Sequence, residues 1–589
     1  MNINKTSYFV ALSLLFVGSL ATTSCDDFLE ETPDNRIEVD SEAKVMALLN
    51  SAYPQASYIR LAELSSDNVD DWNGDENGNY DHFTQQIYNW EDIYESDNQS
   101  PAMLWQDFYA AIAAANQAIA AIDKLPASAD MEAARGEALL CRAYSHFILV
   151  NLFAQHYSAQ HAATDAGIPY ITEPETTLKP EYERKTVAQV YDLVEKDMLQ
   201  GIQLMNEAIY KVPRYHFNNK AAYTFASRFY LFCNKPDEVI KYATLALGDD
   251  ARSQMRDYSK FENLPTNSPW ERARQYTSST ERANFLITPV HSTDWQYFGP
   301  FPTGGRYNFN SEIAQKEVIF CSPWSTGDEI QEQYRLYVFY MSNPVKLHFP
   351  KLPYYFEEVD AQQHTGYYRS VNVIFKAEEA LLNRAEAYAL KDQNQQAIAD
   401  MNIWSKNFFI DSLYYNTGNI DWSQVDWEHF GEPGFEYPYI WTTTYSNNEM
   451  DQQEINAWCT KYNYYSPKAA TPIKHLHPEF AQLTERSDKE NLLQVILEAR
   501  RLEFLQEGMR WFDVKRYGMT IYRRVVDATR GTYDIRFDVK DSLQYRDKRA
   551  ALQLPFEVMS AGLAGNRDGY QKPIATEQTD AYSKYNTNK

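Results

Sequence analysis

Carboxylates and guanidinium groups crowd together between Glu498 and Arg516, in the order EARRLEFLQEGMRWFDVKR. Acids so close could do general acid–base work such as glycoside hydrolysis, in which two carboxyls flank the scissile bond from different elements. The spacing points elsewhere. Glu498 and Arg501, Glu507 and Arg510, and Asp513 and Arg516 are each three residues apart, where opposite charges meet on one helix face. Glu503 and Glu507 fall one turn apart on the same helix, too rigidly side by side to straddle a sugar bond. The segment therefore reads as a structural ion network, and no catalytic residue is assigned. The chain has no nucleophile elbow, Walker loop or dinucleotide fingerprint. His475 and His477 alternate as on a strand, but Lys474 beside them disfavours a metal. The oxygen-rich run Asp70–Asp81 misses the EF-hand register. Counting from Asp71, Glu76 stands where the glycine belongs and His82 where the bidentate glutamate belongs. No metal and no cofactor are expected.

The elements that would hold such residues are mostly helices. Leu104, Phe108, Ile112, Ala115, Ile119 and Ile122 recur every three or four residues, which predicts a helix over 103–125, stopped by Pro126. Similar patterns predict helices over 41–50, 131–153, 187–205, 221–232, 236–247, 371–390, 394–408 and 491–507. Two pairs share one spacing. Leu381, Ala385, Tyr388, Ala397, Met401 and Trp404 fall at the same offsets as Tyr223, Ser227, Tyr230, Val239, Ala243 and Ala246. Small residues at the contacts with a large aromatic between them match a tetratricopeptide pair. The copies are not adjacent, so no plain solenoid is expected. Residues 249–370 and 410–489 are rich in Pro, Asn, Ser, Thr, Tyr and Trp with little helical period. They read as elaborations of the scaffold, where binding sites tend to sit. Leu336–Tyr340 is a short strand-like run.

Composition narrows the function. The 589 residues hold 55 Lys+Arg against 81 Asp+Glu, a net charge of −26 that repels phosphate backbones and argues against nucleic acid. Aromatic residues make up 15%, led by 44 Tyr, whose ring can pack while its hydroxyl stays wet. The amino end reads as a secretory signal over 1–24. Lys5 precedes an apolar run too short for a confident membrane span, then small residues up to Ser24. Cys25 follows directly, as in a bacterial lipobox, although Thr22 stands where Leu is usual. Lipidation of Cys25, a tether over 25–40 and one α-helical domain over 41–589 are the expected organisation. The remaining cysteines, Cys141, Cys233, Cys321 and Cys459, form no CxxC pair, and the sequence leaves their pairing open.

Taken in order, these segments resemble the SusD/RagB family of outer-membrane nutrient-binding lipoproteins. The resemblance is carried by Cys25 with Asp26–Glu30, by Ser66–Asn68, and by Leu104–Ile112 continuing to Ile119. It continues through Gly136–Tyr144, Leu149–Phe153 and Ile168–Tyr170, then Arg384–Tyr388. Its most specific stretch is Glu498–Arg516, and Leu554–Pro555 with 566–573 resembles the family's final turn. The resemblance implies a mostly α fold of tetratricopeptide-like helix pairs with a loop-rich, aromatic-rich face. It also implies attachment to the outer membrane at the cell surface, and a SusC-like TonB-dependent transporter as partner. The ligands of the family are mostly glycans and sometimes peptides or glycopeptides; a structural lid without a ligand site is the other alternative.

A sugar offers apolar C–H faces and many hydroxyls, so its site needs an aromatic platform beside amides, carboxylates or arginine. Trp72, Asn73 and Tyr80 supply that mixture on one Gly-rich loop. Trp295 and Tyr297, with Arg306 and Tyr307, supply it again in the middle segment. These seven are the expected ligand contacts.

Overall fold

The computed structural model describes residues 39–570, apart from 72–81, 96–98, 176–180, 266–267, 302–305, 326–332, 343–344, 431, 433–434, 446–447, 525, 528–531, 534–538 and 568–569. The principal helices are α1 (Glu42–Leu49), α2 (Ile59–Ser65), α3 (Pro101–Ile122), α4 (Ala129–Phe153), α5 (Val187–Leu204), α6 (Asn219–Phe232) and α7 (Pro236–Leu247). After these come α8 (Asp294–Phe298), α9 (Ala377–Leu390), α10 (Asn394–Phe408), α11 (Gln452–Thr460), α12 (Asp488–Glu503) and α13 (Met509–Arg516). Polar caps set where they begin. The hydroxyls of Ser100 and Ser128 accept from the amides of Met103 and Met131, and Pro101 and Pro236 occupy first turns that need no donor. Thr186 and Gln189 close a capping box on α5, as Asp451 and Glu454 do on α11.

The helices stack in series: α3 on α4, α4 on α5, α5 on α6, and α6 on α7. The stack then runs on from α7 to α9, from α9 to α10, and from both of these to α12. The two look-alike pairs, α6–α7 and α9–α10, are separated by 129 residues of sequence between Leu247 and Ala377, yet they lie against each other. The small contact residues Ala243, Ala246, Ala385 and Ala397 are fully buried there. The stack is thus continuous in space although interrupted in sequence. Close approach has a visible cause where α4 meets α5. A Cβ on Gly136 would stand 3.0 Å from the Gly201 carbonyl oxygen, and one on Gly201 would stand 2.8 Å from Leu140 Cγ. Bidentate pairs tie the layers: Arg142 to Asp197 across α4–α5 and Arg228 to Glu379 across α6–α9, both buried, and the half-buried Arg384 to Asp400 across α9–α10.

The segments between helices carry small antiparallel sheets. Two residues pair in β1 (Asp70–Asp71) and β3 (Tyr307–Asn308); β2 (Asn284–His291) belongs to a larger sheet. β4 (Phe339–Ser342) and β5 (Val345–His348) form a hairpin, of which Leu336–Tyr340 contributes only its last two residues. β6 (Tyr355–Asp360) and β7 (Thr365–Lys376) join β2 in the order β2–β7–β6. β8 (Ser412–Ile420) pairs with β9 (Tyr439–Tyr445).

Two expected helix boundaries are corrected. The helix expected from Val371 starts only at Ala377, because Val371, Val373 and Phe375 continue β7 opposite Pro289, Ile287 and Leu286. Alternating β-branched and aromatic residues suit a pleated strand better than a helix turn. The helix expected to reach Glu507 ends at Glu503, since Gln506 and Gly508 take positive φ angles of 68° and 78°.

Candidate functional site

That turn redirects the charges of 498–516. Only one of the three expected helical pairs forms: Arg516 Nη1 donates to Asp513 at 2.9 Å. Glu507 stands before the start of α13, so it cannot pair with Arg510 along one helix. It accepts instead from Lys376 Nζ at 2.6 Å and from Tyr276 at 2.7 Å. Arg510 clamps Asp67 with two bonds of 2.7 and 2.8 Å. Arg501 donates to Asn68 and to the Asp67 carbonyl. Arg500 grips Asp513 and Asn383, and Glu386 accepts from Arg516 and Tyr517.

Arg501 and Arg510 hold the Asp67 carboxyl well below the usual range against the penalty of burial. Glu498 is different. Burial pushes it up to about 8 despite Arg501, Arg510 and Lys474, and its Oε1 has no partner. Glu503 and Glu507 both face Lys376, at 2.8 and 2.6 Å, Glu503 fully buried and Glu507 nearly so. They share Lys376, and Lys351 stands 3.6 Å from Glu507, so the cluster binds α2, α9, α12 and α13 together.

Of the expected ligand contacts, Trp72, Asn73 and Tyr80 lie outside the described residues, as do Cys25 and residues 1–24. The others sit inside the packing. Trp295, only 4% exposed, stacks on Tyr354 at 4.4 Å and meets Phe301 and Trp270 edge-on. The Tyr297 ring lies under the Arg60 guanidinium at 3.7 Å. Asp294, beside them on α8, accepts from Ser57 and Gln99. The buried Lys346 donates to the Tyr297 carbonyl at 3.1 Å, with its ammonium pushed down to about 7 by burial. Arg306 pairs with Asp71 at 2.8 Å, and Tyr307 packs on Tyr88. Trp295, Tyr297 and Tyr307 therefore brace the middle segment onto the scaffold and present no open ring face. His475 stacks between Tyr464 and His477 and bonds Glu485. Cys141, Cys233, Cys321 and Cys459 are free thiols.

The open ring faces are elsewhere, in the excursion between α10 and α11. Trp422, Trp427 and Trp441 are 55, 64 and 51% exposed, and Phe430, Tyr437 and Tyr439 are exposed beside them. The rings form a run. Trp422 lies 6.0 Å from Trp427 at only 20° between planes, Trp427 lies 5.3 Å from Phe430, and Phe430 leads through Tyr437 to Tyr439. Large exposed aromatics in contact with one another mark interaction surfaces, since water penalises leaving them bare. The hairpin β6–β7 is a second such place, with Tyr355, Phe356, Val359, Tyr367 and Tyr368 exposed. The tryptophans of the excursion were within reach of sequence reasoning. The run DWSQVDWEHF has no helical period and carries two Trp in an irregular segment, the same signal that singled out Trp295.

A stack of tetratricopeptide-like helix pairs with aromatic excursions is the architecture of a binding scaffold. A family model for SusD-like proteins, described as starch-binding and associating with the outer membrane, matches residues 27–231, and the SusD/RagB model matches 465–589. Between them they span more than half of the sequence, and the chain belongs to the SusD/RagB family. No curated protein matches it. Solved structures with the same fold include a SusD superfamily protein from Bacteroides thetaiotaomicron, 17% identical, with a TM-score of 0.55 over 89% of this chain and 99% of that one. Another, from Bacteroides vulgatus, is 16% identical with a TM-score of 0.56 over 90% and 98%. A SusD-like carbohydrate binding protein from Bacteroides vulgatus is 14% identical with a TM-score of 0.52 over 91% and 99%. Among the described residues no helix is long and apolar enough to cross a membrane.

Proposed function

We propose that this chain captures a glycan at the outer face of the outer membrane, anchored through a lipid on Cys25, and passes it to a SusC-like TonB-dependent transporter. The observation that carries the reading is the exposed aromatic run Trp422–Trp427–Phe430–Tyr437–Tyr439, a platform on which the C–H faces of successive sugars can lie. The family descriptions and the carbohydrate-binding neighbour support the ligand class. No covalent step is proposed, because Glu503, Glu507 and Asp513 are already engaged by arginine, lysine or tyrosine, and Glu498 is buried and raised. Trp72, Asn73 and Tyr80 remain proposed contacts. The β6–β7 hairpin, exposed on both faces with β6 at the sheet edge, favours a second role as a docking surface for the transporter.

The test is calorimetric titration of the chain lacking residues 1–25 with a polysaccharide panel, with products assayed for new reducing ends. Saturable heat without new ends is the expected result. Silence across the panel, or hydrolysis, would refute the reading.

A further inference from the structure

The aromatic run sits in a strongly one-sided stretch of charge. From Asn407 to Thr460 there is no lysine or arginine, while Asp411, Asp421, Asp426, Glu428, Glu432, Glu436, Glu449, Asp451 and Glu454 contribute nine carboxylates. At the root of the excursion two are neutralised from outside, Asp411 by Arg335 and Glu449 by Lys406. Around the rings none is. Asp421 adjoins Trp422, Asp426 and Glu428 flank Trp427, and Glu436 adjoins Tyr437; among the described residues no lysine or arginine pairs with these four or with Glu432. Asp426, Glu428, Glu432 and Glu436 are exposed to solvent. Among the described residues the basic side chain beside them is the His429 imidazole, held 2.8 Å from Asp426. Hydrogen bonds from Ser423 and Gln424 keep Asp421 below the usual carboxylate range, and His429 does the same for Asp426, so both stay ionised.

We infer that this platform takes uncharged glycans and rejects those bearing carboxylate or sulfate groups. The inference rests on the glycan-capture reading and narrows its substrate class. A sugar lying on Trp422 and Trp427 would place its substituents beside Asp421, Asp426 and Glu428, within the roughly 8 Å over which charges act in physiological salt. A uronate there meets several like charges and no arginine to offset them, the opposite of a site built for anions. Neutral hydroxyls, by contrast, donate well to carboxylates.

One glycan in three forms tests this. The full chain without residues 1–25 is titrated with the neutral polymer that binds best, with the same polymer oxidised at its primary hydroxyls to carboxylates, and with the methyl ester of the oxidised form. Binding of the oxidised form should be at least about tenfold weaker, and the ester should recover most of that loss. The gap should shrink when NaCl rises from about 0.05 to 0.5 M, beyond which exposed charges are screened. It should shrink as well in the combined variant Asp426→Asn, Glu428→Gln, Glu432→Gln, Glu436→Gln. Equal or tighter binding of the oxidised form, or a gap indifferent to both salt and the variant, overturns the inference while capture of glycans stands. A chain that binds only polyanions does the same. A chain that binds no glycan, in a preparation whose melting is cooperative, removes both.

Discussion

Arg500, Arg501, Arg510 and Arg516 are almost wholly buried, each answered by a carboxylate, an amide or a carbonyl from another element. Earlier in the chain, Trp422, Trp427 and Trp441 stand more than half exposed, the first two stacked on each other. Residue types are thus distributed against their usual habit: charge inside, large aromatics outside. The inner charges pin one arrangement of helices, because a guanidinium taken from water must find its partner in one geometry. The outer rings leave apolar faces bare, a cost that a ligand would offset.

That contrast can be broken at four places. The largest effect is expected from Arg510→Ala, which leaves Asp67 buried with only Arg501 and Lys474 nearby and should cost about 3–5 kcal/mol, read as a lowered unfolding midpoint in urea. An unchanged midpoint would mean that the ion network is decorative. Next comes Trp295→Ala. If this ring braces the fold, the loss is also about 3–4 kcal/mol of stability, with glycan affinity kept in whatever remains folded. A stable variant with lost affinity would restore Trp295 as a contact. Trp427→Ala should do the reverse: stability within about 0.5 kcal/mol of the parent, and affinity down by about 1–2 kcal/mol, or roughly tenfold, in calorimetry.

The smallest effect is a change in pH dependence. Glu498 titrates near 8 when folded against an ordinary 4.5, so the folded chain keeps a proton that the unfolded chain releases. Its contribution to stability therefore falls as pH rises from about 5 to 8. Glu498→Gln should match the parent near pH 5 and exceed it by about 1–2 kcal/mol near pH 8.5, measured by denaturation at both values. Parallel curves would place the Glu498 proton elsewhere.

Much of the scaffold was legible in the sequence. The helices Pro236–Leu247 and Asn394–Phe408 have the expected boundaries, since a proline at the first turn and regular apolar spacing are local signals. The redirection at 504–508 was not legible, because Gly508 is one glycine among 21, and only tertiary contact sets it apart: a Cβ there would stand 3.1 Å from Ala62 and Tyr58. The exposure of aromatic residues was the least legible. Trp295 and Trp422 stand in equally irregular, equally polar surroundings. What separates them is tertiary: Tyr354, Phe301 and Trp270 reach Trp295 from distant segments, whereas Trp422 meets Trp427 from its own excursion.

The way the stack closes over its interruptions has a practical consequence for engineering. Helices α7 and α9 touch, so the long segment between them leaves and re-enters at neighbouring points; the same is true of the excursion after α10, whose return is fastened by the bond from Ser405 to Asn448 and the bonds between Asn402 and Met450. A segment whose ends are already held together can be exchanged for another of different length at little cost in chain entropy. Residues 412–445 could therefore be transplanted as a unit between members of this fold, carrying their exposed aromatic run with them and leaving the recipient's helices undisturbed.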